Sequence, residues 1–405
     1  MSTIKLFYEQ PDAREIEARV VRIDADGDGR FSVILDRTNF YPEGGGQPCD
    51  TGSIGGLAVV SVTESAGEVR HRVAATADEL KAAGVDPGAT ARSVVDLERR
   101  IDHSEQHTAQ HLLSAVLLRM TGAATLSFHL GERYSSIDID IPPLERADAD
   151  AVDDEVMRVI RDDYKVITHE CAPEEASRFP LRKEPAVETG VLRVVELDGL
   201  EYSACCGTHV CGTGAIGSFR ITKVEKYKAG CRVHFVAGGR AFADYRRLAG
   251  LVRDASAVAG TSEDELAGVV SAYRERMKGL ERSLDEAREA AAEARASALD
   301  GSSSAGSSSA GPVVFAEADS VDAASRLARA LARRGRVSVV WCVAELKAVA
   351  GSPVPSEPGA RAVDAIFGAM ARDLGGKGGG SRTFFQAAFA DAETMARFIA
   401  AARLA

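Results

Sequence analysis

The chain has 405 residues, 45% of them apolar and 27% charged, the balance of a soluble globular protein long enough for several domains. A net charge of -11 excludes a protein coated in basic, nucleic-acid-binding surface, so any RNA contact must come from local patches. No leader-like apolar segment opens the chain and no run could span a bilayer. Seven cysteines read as reduced thiols rather than a disulfide framework, so a cytoplasmic protein with no membrane partner is expected.

Residues 1–95 carry short alternating runs: 17–23, 31–35, 57–62 and 69–73, separated by turns such as Asp24-Ala-Asp-Gly-Asp-Gly29. This pattern predicts a β-barrel-like domain. Inside it, Phe40-Tyr-Pro-Glu-Gly-Gly-Gly-Gln-Pro48 places three glycines in a row, a backbone that ligands can approach closely. A plain hairpin loop would have the same composition.

Residues 96–238 change to a mixed α/β pattern. The run Asp102–Leu118 predicts a helix whose apolar face is Ala109, Leu112, Leu113, Val116 and Leu117. On that helix His107 and His111, at i and i+4, project from one face. A second pair at the same separation, Cys205 and His209, lies in Cys205-Cys-Gly-Thr-His209. One pair alone is weak evidence; two in one chain point to a metal, and N/S donors suit zinc. His103, on the same helix, suits a surface or supporting role better than a third ligand from one helix. Thr125-Leu-Ser-Phe-His129 follows, either lining the same cavity or serving only as strand residues. Further expectations are a strand at 135–141, a helix at 147–164, and strands at 191–197 and 216–224.

Residues 239–300 read as helix, with Ser262-Glu-Asp-Glu265 as a capping box. Leu266, Val270, Tyr273, Met277, Leu280, Leu284, Ala287 and Ala291 follow in heptad steps, a seam that predicts a dimer or a paired neighbouring helix. Gly301–Gly311 is a serine-, glycine- and alanine-rich flexible linker. Residues 312–405 predict a small α/β domain: strand 313–316, helix 321–334, strand 337–342, helix 359–374 and a last helix from Asp391. The loop Gly375-Gly-Lys-Gly-Gly-Gly-Ser-Arg382 is a candidate phosphate cradle, with Lys377 and Arg382 adding charge. Its order is not that of a nucleotide-hydrolysing P-loop. The fold class expected is therefore α+β and multidomain.

Taken together, FYPEGGGQPCDTG, QHTAQHLLSA, CCGTHVCGTGAIG, GCRVHFVAGGRA and GGKGGGSR resemble the editing half of alanyl-tRNA synthetase. The chain is similar to the long form of the free-standing AlaX editing proteins, over nearly its whole length. This resemblance implies one zinc ion on His107, His111, Cys205 and His209. It implies hydrolysis of tRNA(Ala) mischarged with serine or glycine, and a C-terminal domain that binds tRNA and forms homodimers. Gln47, Thr125, Ser127 and His129 become the candidates for work on the substrate. Gly44, Gly45, Gly46, Arg232, Lys377 and Arg382 become the candidates for tRNA contact. The family pattern has Cys-Gly-Gly-Thr-His, and here Cys206 replaces the first glycine, a second thiol that can compete for metal.

Two other classes compete. A zinc peptidase needs Glu directly after the first histidine, where this chain has Thr108. A non-catalytic tRNA-binding module with a closed, structural zinc has the same ligands.

Overall fold

The computed structural model describes residues 2–27, 29–184, 190–301, 313–354 and 362–404, in two compact units, 1–254 and 255–405. In the first unit, six strands rich in β-branched residues close into a barrel: Glu15–Ala25, Phe31–Leu35, Gly52–Ile54, Leu57–Ser65, Glu68–Val73 and Thr90–Val95. Around the barrel their order is first, second, fifth, fourth, third, sixth. Val20, Val33, Ile54, Val62, Val69 and Val73 fill its interior. The strands at 52–54 and 90–95 complete the ring; they are too short or too polar to stand out in the sequence.

The helix expected at 102–118 runs from Leu97 to Thr121. It starts earlier because the Asp96 side chain accepts from the Arg99 backbone N–H at 3.2 Å. It stops where Gly122 turns left-handed at φ 74° and donates back to the Leu118 carbonyl. This helix and Arg146–Asp162 pack on one face of a four-stranded antiparallel sheet, through Ile137, Ile139, Val233 and Phe235. The sheet's order is Phe219–Tyr227, Gly230–Ala237, Ser135–Ile139, Thr125–Leu130. A second sheet holds Val166–Cys171, Leu192–Leu197 and Tyr202–Ala204. The strand expected at 216–224 begins only at Phe219, because Thr213–Ile216 forms a 3-10 turn closed by Gly217 at φ 73°.

A buried ion pair fastens the helix to the barrel. Arg100 donates from Nε to Asp50 at 3.0 Å and from Nη2 to the Asn39 carbonyl at 2.6 Å. Asp50 also accepts from the Tyr41 backbone N–H at 2.6 Å. With both charges out of solvent, removing one alone costs about 3–5 kcal/mol.

In the second unit, Leu266–Gly301 is a 36-residue helix. The expected capping box does not form: residues 263–265 make a turn, so Glu265 precedes the helix. Its carboxylate accepts from the hydroxyls of Thr261 and Ser262 instead. The seam residues Val270, Tyr273, Met277, Leu280 and Leu284 are more than half exposed. Its alanine end does pack, with Ala296 buried among Ala324, Leu327 and Leu331. A five-stranded sheet follows, ordered Val314–Glu317, Ser338–Cys342, Lys347–Gly351, Phe384–Ala388, Lys377–Ser381. Helices Val321–Arg333, Val363–Asp373 and Ala392–Ala402 accompany it.

The expected phosphate loop is an edge strand here. Lys377–Ser381 pairs antiparallel with Phe384–Ala388, and a Cβ at Gly378 would lie 2.2 Å from the Gln386 carbonyl oxygen. Its glycines therefore serve close strand pairing, with Lys377 and Arg382 exposed at the two ends. The Gly301–Gly311 linker beyond its first residue, and residues 359–361 of the expected helix, lie outside the described residues.

Candidate metal centre

Four donors converge in the first unit. His107, His111, Cys205 and His209 each offer one ligand atom, and these atoms all lie within 4.8 Å of one another. The Cys205 Sγ stands 3.4 Å from Nε2 of both His107 and His209. A tetrahedral zinc with one sulfur and nitrogen ligands has S···N edges of about 3.5 Å. Cys206 is exposed and outside this group.

What makes the cluster a cradle is the second ring of contacts. His107 Nδ1 lies 2.9 Å from Gln47 Oε1, which also accepts from the Thr208 backbone N–H at 3.0 Å. Gln47 Nε2 donates to the Thr208 hydroxyl at 2.8 Å. This amide has only one orientation that satisfies all three contacts, so His107 carries its proton on Nδ1 and leaves Nε2 as a bare donor. The turn at Gly44–Gln47 delivers the glutamine: Gly45 and Gly46 sit at φ 58° and 82°, and Gln47 is fully buried.

His209 is fixed the same way. The Thr108 hydroxyl donates to the Ser104 carbonyl at 2.8 Å, so its lone pairs face Nδ1 of His209, 3.2 Å away. The residue that excludes a peptidase in the sequence is thus a histidine orienter in the structure. His111 turns Nδ1 toward Glu201 Oε1 at 3.5 Å, and its buried Nε2 has no partner among the described residues. Three Nε2 atoms and one sulfur point inward, each histidine held by a partner on its other nitrogen. This is how metal-binding histidines are supported.

Electrostatics agree. Burial pushes the Cys205 thiol up, but the imidazoles of His107 and His209 outweigh it and hold the group well below the usual thiol range. Burial pushes His209 down to about 3, so it is neutral. At His111 burial opposes the charged form, but the Glu201 carboxylate outweighs it and raises the group to about 9. A proton held there is one that a cation would displace. Gly207 completes the fit, since a Cβ on it would lie 2.1 Å from the His107 ring.

A cleft of about 340 Å³ opens onto these donors, lined by Gly45, His107, His111, Thr125, Ser127 and Cys205 among others. Thr125 is buried and donates to the Ser114 hydroxyl at 2.8 Å. Ser127 turns its hydroxyl to Asp138 at 2.6 Å. His129 is exposed and does not line the cleft. Arg232 pairs with Asp138, Nε to Oδ1 at 2.6 Å, and its guanidinium lies 3.9 Å from the centre of the Tyr227 ring. Lys377 and Arg382 belong to the other unit.

Sequence reasoning missed the roles of Thr108, Glu201 and Thr208, the residues Gln110 and Ser114 near Thr125, and Arg182, which donates from Nε to Glu201 Oε1 at 2.8 Å. Gln110 and Ser114 had a signal, as polar residues four apart on the flank of the metal helix between its apolar face and its two histidines.

Residues 192–233, which include Cys205 and His209, match the family model "Threonyl and Alanyl tRNA synthetase second additional domain". The chain is 35% identical over 213 residues to the alanyl-tRNA editing protein Aarsd1 of Mus musculus, covering 52% of this chain and 50% of that protein. To the alanyl-tRNA editing protein AlaX-L of Pyrococcus horikoshii it is 32% identical over 255 residues, 60% of each chain. Identity to the alanine–tRNA ligase of Natronomonas pharaonis is 30% over 358 residues, 84% of this chain and 37% of the ligase. The chain therefore spans 50% to 60% of the length of these two editing proteins.

Proposed function

From the premise that this chain is a relative of the alanyl-tRNA editing proteins, we propose that it is a trans-editing hydrolase. Its substrate is tRNA(Ala) mischarged with serine, or with glycine, and its site holds one zinc ion. The observation that carries this reading is the cradle: three histidine nitrogens and one cysteine sulfur, beside a cleft with room for an aminoacyl ester.

His107, His111, Cys205 and His209 would hold the metal, with Gln47, Thr108 and Glu201 fixing the rings. Zinc bound there supplies positive charge able to polarise an ester carbonyl or acidify a water. The chain's own residues do the rest. The cleft positions the aminoacyl group against the metal helix. The buried Thr125 reads the amino acid, and Ser127 and His129 stand next to it on the strand. The need for such a site is energetic: an alanine pocket rejects serine or glycine by only about 1–3 kcal/mol, so a second, hydrolytic site is required. Such an enzyme works in the cytoplasm, where tRNA is charged, and needs no nucleotide. Gly44–Gly46, Arg232, Lys377 and Arg382 are the proposed tRNA contacts, and the exposed seam of Leu266–Gly301 is the proposed dimer face.

A second reading has one observation in its favour. All four donors converge, which also suits a closed structural zinc in a non-catalytic tRNA-binding module. The test is deacylation of seryl-, glycyl- and alanyl-tRNA(Ala). The hydrolase reading expects fast loss of the seryl ester and sparing of the alanyl ester. Equal rates on seryl and alanyl esters would remove proofreading, and zinc-loaded protein that binds tRNA but cleaves none of them would favour the module.

A further inference from the structure

One corner of the cleft has an unusual hydrogen-bond polarity, set by a residue that, among the described residues, hydrogen-bonds to none of the four metal donors. Ser114 is fully buried on the metal helix. Its hydroxyl oxygen receives Thr125 Oγ1–H at 2.8 Å and Gln110 Nε2–H at 3.0 Å. A hydroxyl oxygen has two lone pairs, and here both are used. Thr125 has a single proton, and that proton is committed to Ser114. Toward any ligand, its oxygen can therefore only accept.

Gln110 is turned by the same contact. Its NH2 faces Ser114, which leaves Oε1 as the free end of the amide; among the described residues nothing donates to it. Gln110 is 4% exposed, and it is a cleft-lining residue, so what remains accessible faces the cavity. Two acceptors, Thr125 Oγ1 and Gln110 Oε1, therefore stand at the wall beside His107 and His111, both oriented by one serine.

We propose that Ser114 is a positioning residue that leaves only acceptors, Thr125 Oγ1 and Gln110 Oε1, at this corner of the cleft, so that the corner selects aminoacyl esters whose side chain donates a hydrogen bond. This rests on the aminoacyl-ester reading of the cleft given above. A serine side chain binds as a donor to Gln110 or Thr125. Alanine and glycine both leave the acceptors unpaired, so of the two proposed substrates this corner takes serine and not glycine. A side chain of the same size that can accept but not donate fares no better than alanine, which size selection alone does not predict. Buried groups left unpaired in this way give large discrimination.

The experiment compares tRNA(Ala) carrying serine with tRNA(Ala) carrying 3-fluoroalanine, nearly the same size but without a donor. Taking the ratio of the two rates in each protein, then comparing proteins, cancels the intrinsic difference between the esters. In the unaltered protein the seryl ester is expected to be cleaved at least 100-fold faster. Ser114→Ala frees the Thr125 proton and the Gln110 amide, and should shrink that ratio tenfold or more with metal content unchanged. Gln110→Met, a change at the cleft wall that packs similarly, should slow the seryl ester about tenfold more than it slows the fluoroalanyl ester. A merely structural serine would lower both rates together and keep the ratio. An unaltered-protein ratio near one, or a large ratio that Ser114→Ala and Gln110→Met both leave intact, overturns the proposal while leaving the hydrolase reading standing. Failure to cleave the seryl ester at all overturns both.

Discussion

Two glycine-rich segments mark this chain, and they do opposite things. At Gly44–Gly46 the left-handed turn carries Gln47 into full burial, where all three of its polar contacts serve His107 and Thr208. At Gly375–Gly380 the glycines instead let an exposed edge strand lie against its neighbour, with carbonyl oxygens 2.2 Å and 2.1 Å from where a Cβ would sit at Gly378 and Gly380. The first segment builds a site by placing a side chain. The second removes side chains so that two backbones can pair, and leaves its cations at the ends. Glycine content alone does not separate these cases; the polar residue that follows the glycines, and whether it is buried, does.

The comparison breaks most visibly at the first segment's partners. His107→Ala or His209→Ala should abolish bound zinc. Gly207→Ala should do nearly the same, because its Cβ would occupy the place of the His107 ring. Elemental analysis of folded protein checks this, and full zinc retention in Gly207→Ala would show that the loop relaxes away from the ring.

Next in size, Gln47→Leu and Thr108→Val should weaken metal binding about 10–100-fold, the usual cost of losing the partner that orients a ligand. A chelator competition titration reads it. If Gln47→Leu binds zinc as tightly as the unaltered protein, the glycine turn has some other purpose.

A pH effect sharpens the barrel side of the contrast. His71 is wholly buried between the Thr38 hydroxyl and the Val33 carbonyl, and burial pushes it down to about 4. The unfolded chain takes up this proton below about pH 6.5 and the folded chain only near 4. Folding stability therefore falls as pH drops through that window, by roughly 3 kcal/mol in all from this group. Melting curves of the unaltered protein and His71→Gln between pH 7 and 4.5 should converge or cross as pH falls. Parallel curves would mean that the histidine is not held neutral.

The smallest effect belongs to the second segment. Lys377→Ala and Arg382→Ala should each weaken tRNA binding a few-fold and make the salt dependence shallower by about one phosphate contact. Metal content should not change. An unaltered salt slope would remove these two residues from the RNA interface.

How much of this was legible varied with distance along the chain. The four candidate ligands stood out because each pair keeps i, i+4 spacing within a short motif. The barrel strands that carry short alternating runs, such as Phe31–Leu35 and Glu68–Val73, were equally plain. Thr108, Glu201 and Thr208 were not, since each makes its decisive contact with a residue 90 or more positions away. Short strands such as Gly52–Ile54 take their structure from neighbours rather than from their own residues. At Glu265 a local capping pattern was present, but the turn at 263–265 kept it out of the helix.

The central claim, a metal-dependent editing site built on this cradle, is tested most directly by one paired measurement. Seryl-tRNA(Ala) deacylation and zinc content are read on the same samples before chelation, after it, and after zinc is restored. The account predicts one zinc per chain, loss of hydrolysis with the metal, and recovery of both together. Undiminished hydrolysis by folded, zinc-free protein would contradict it.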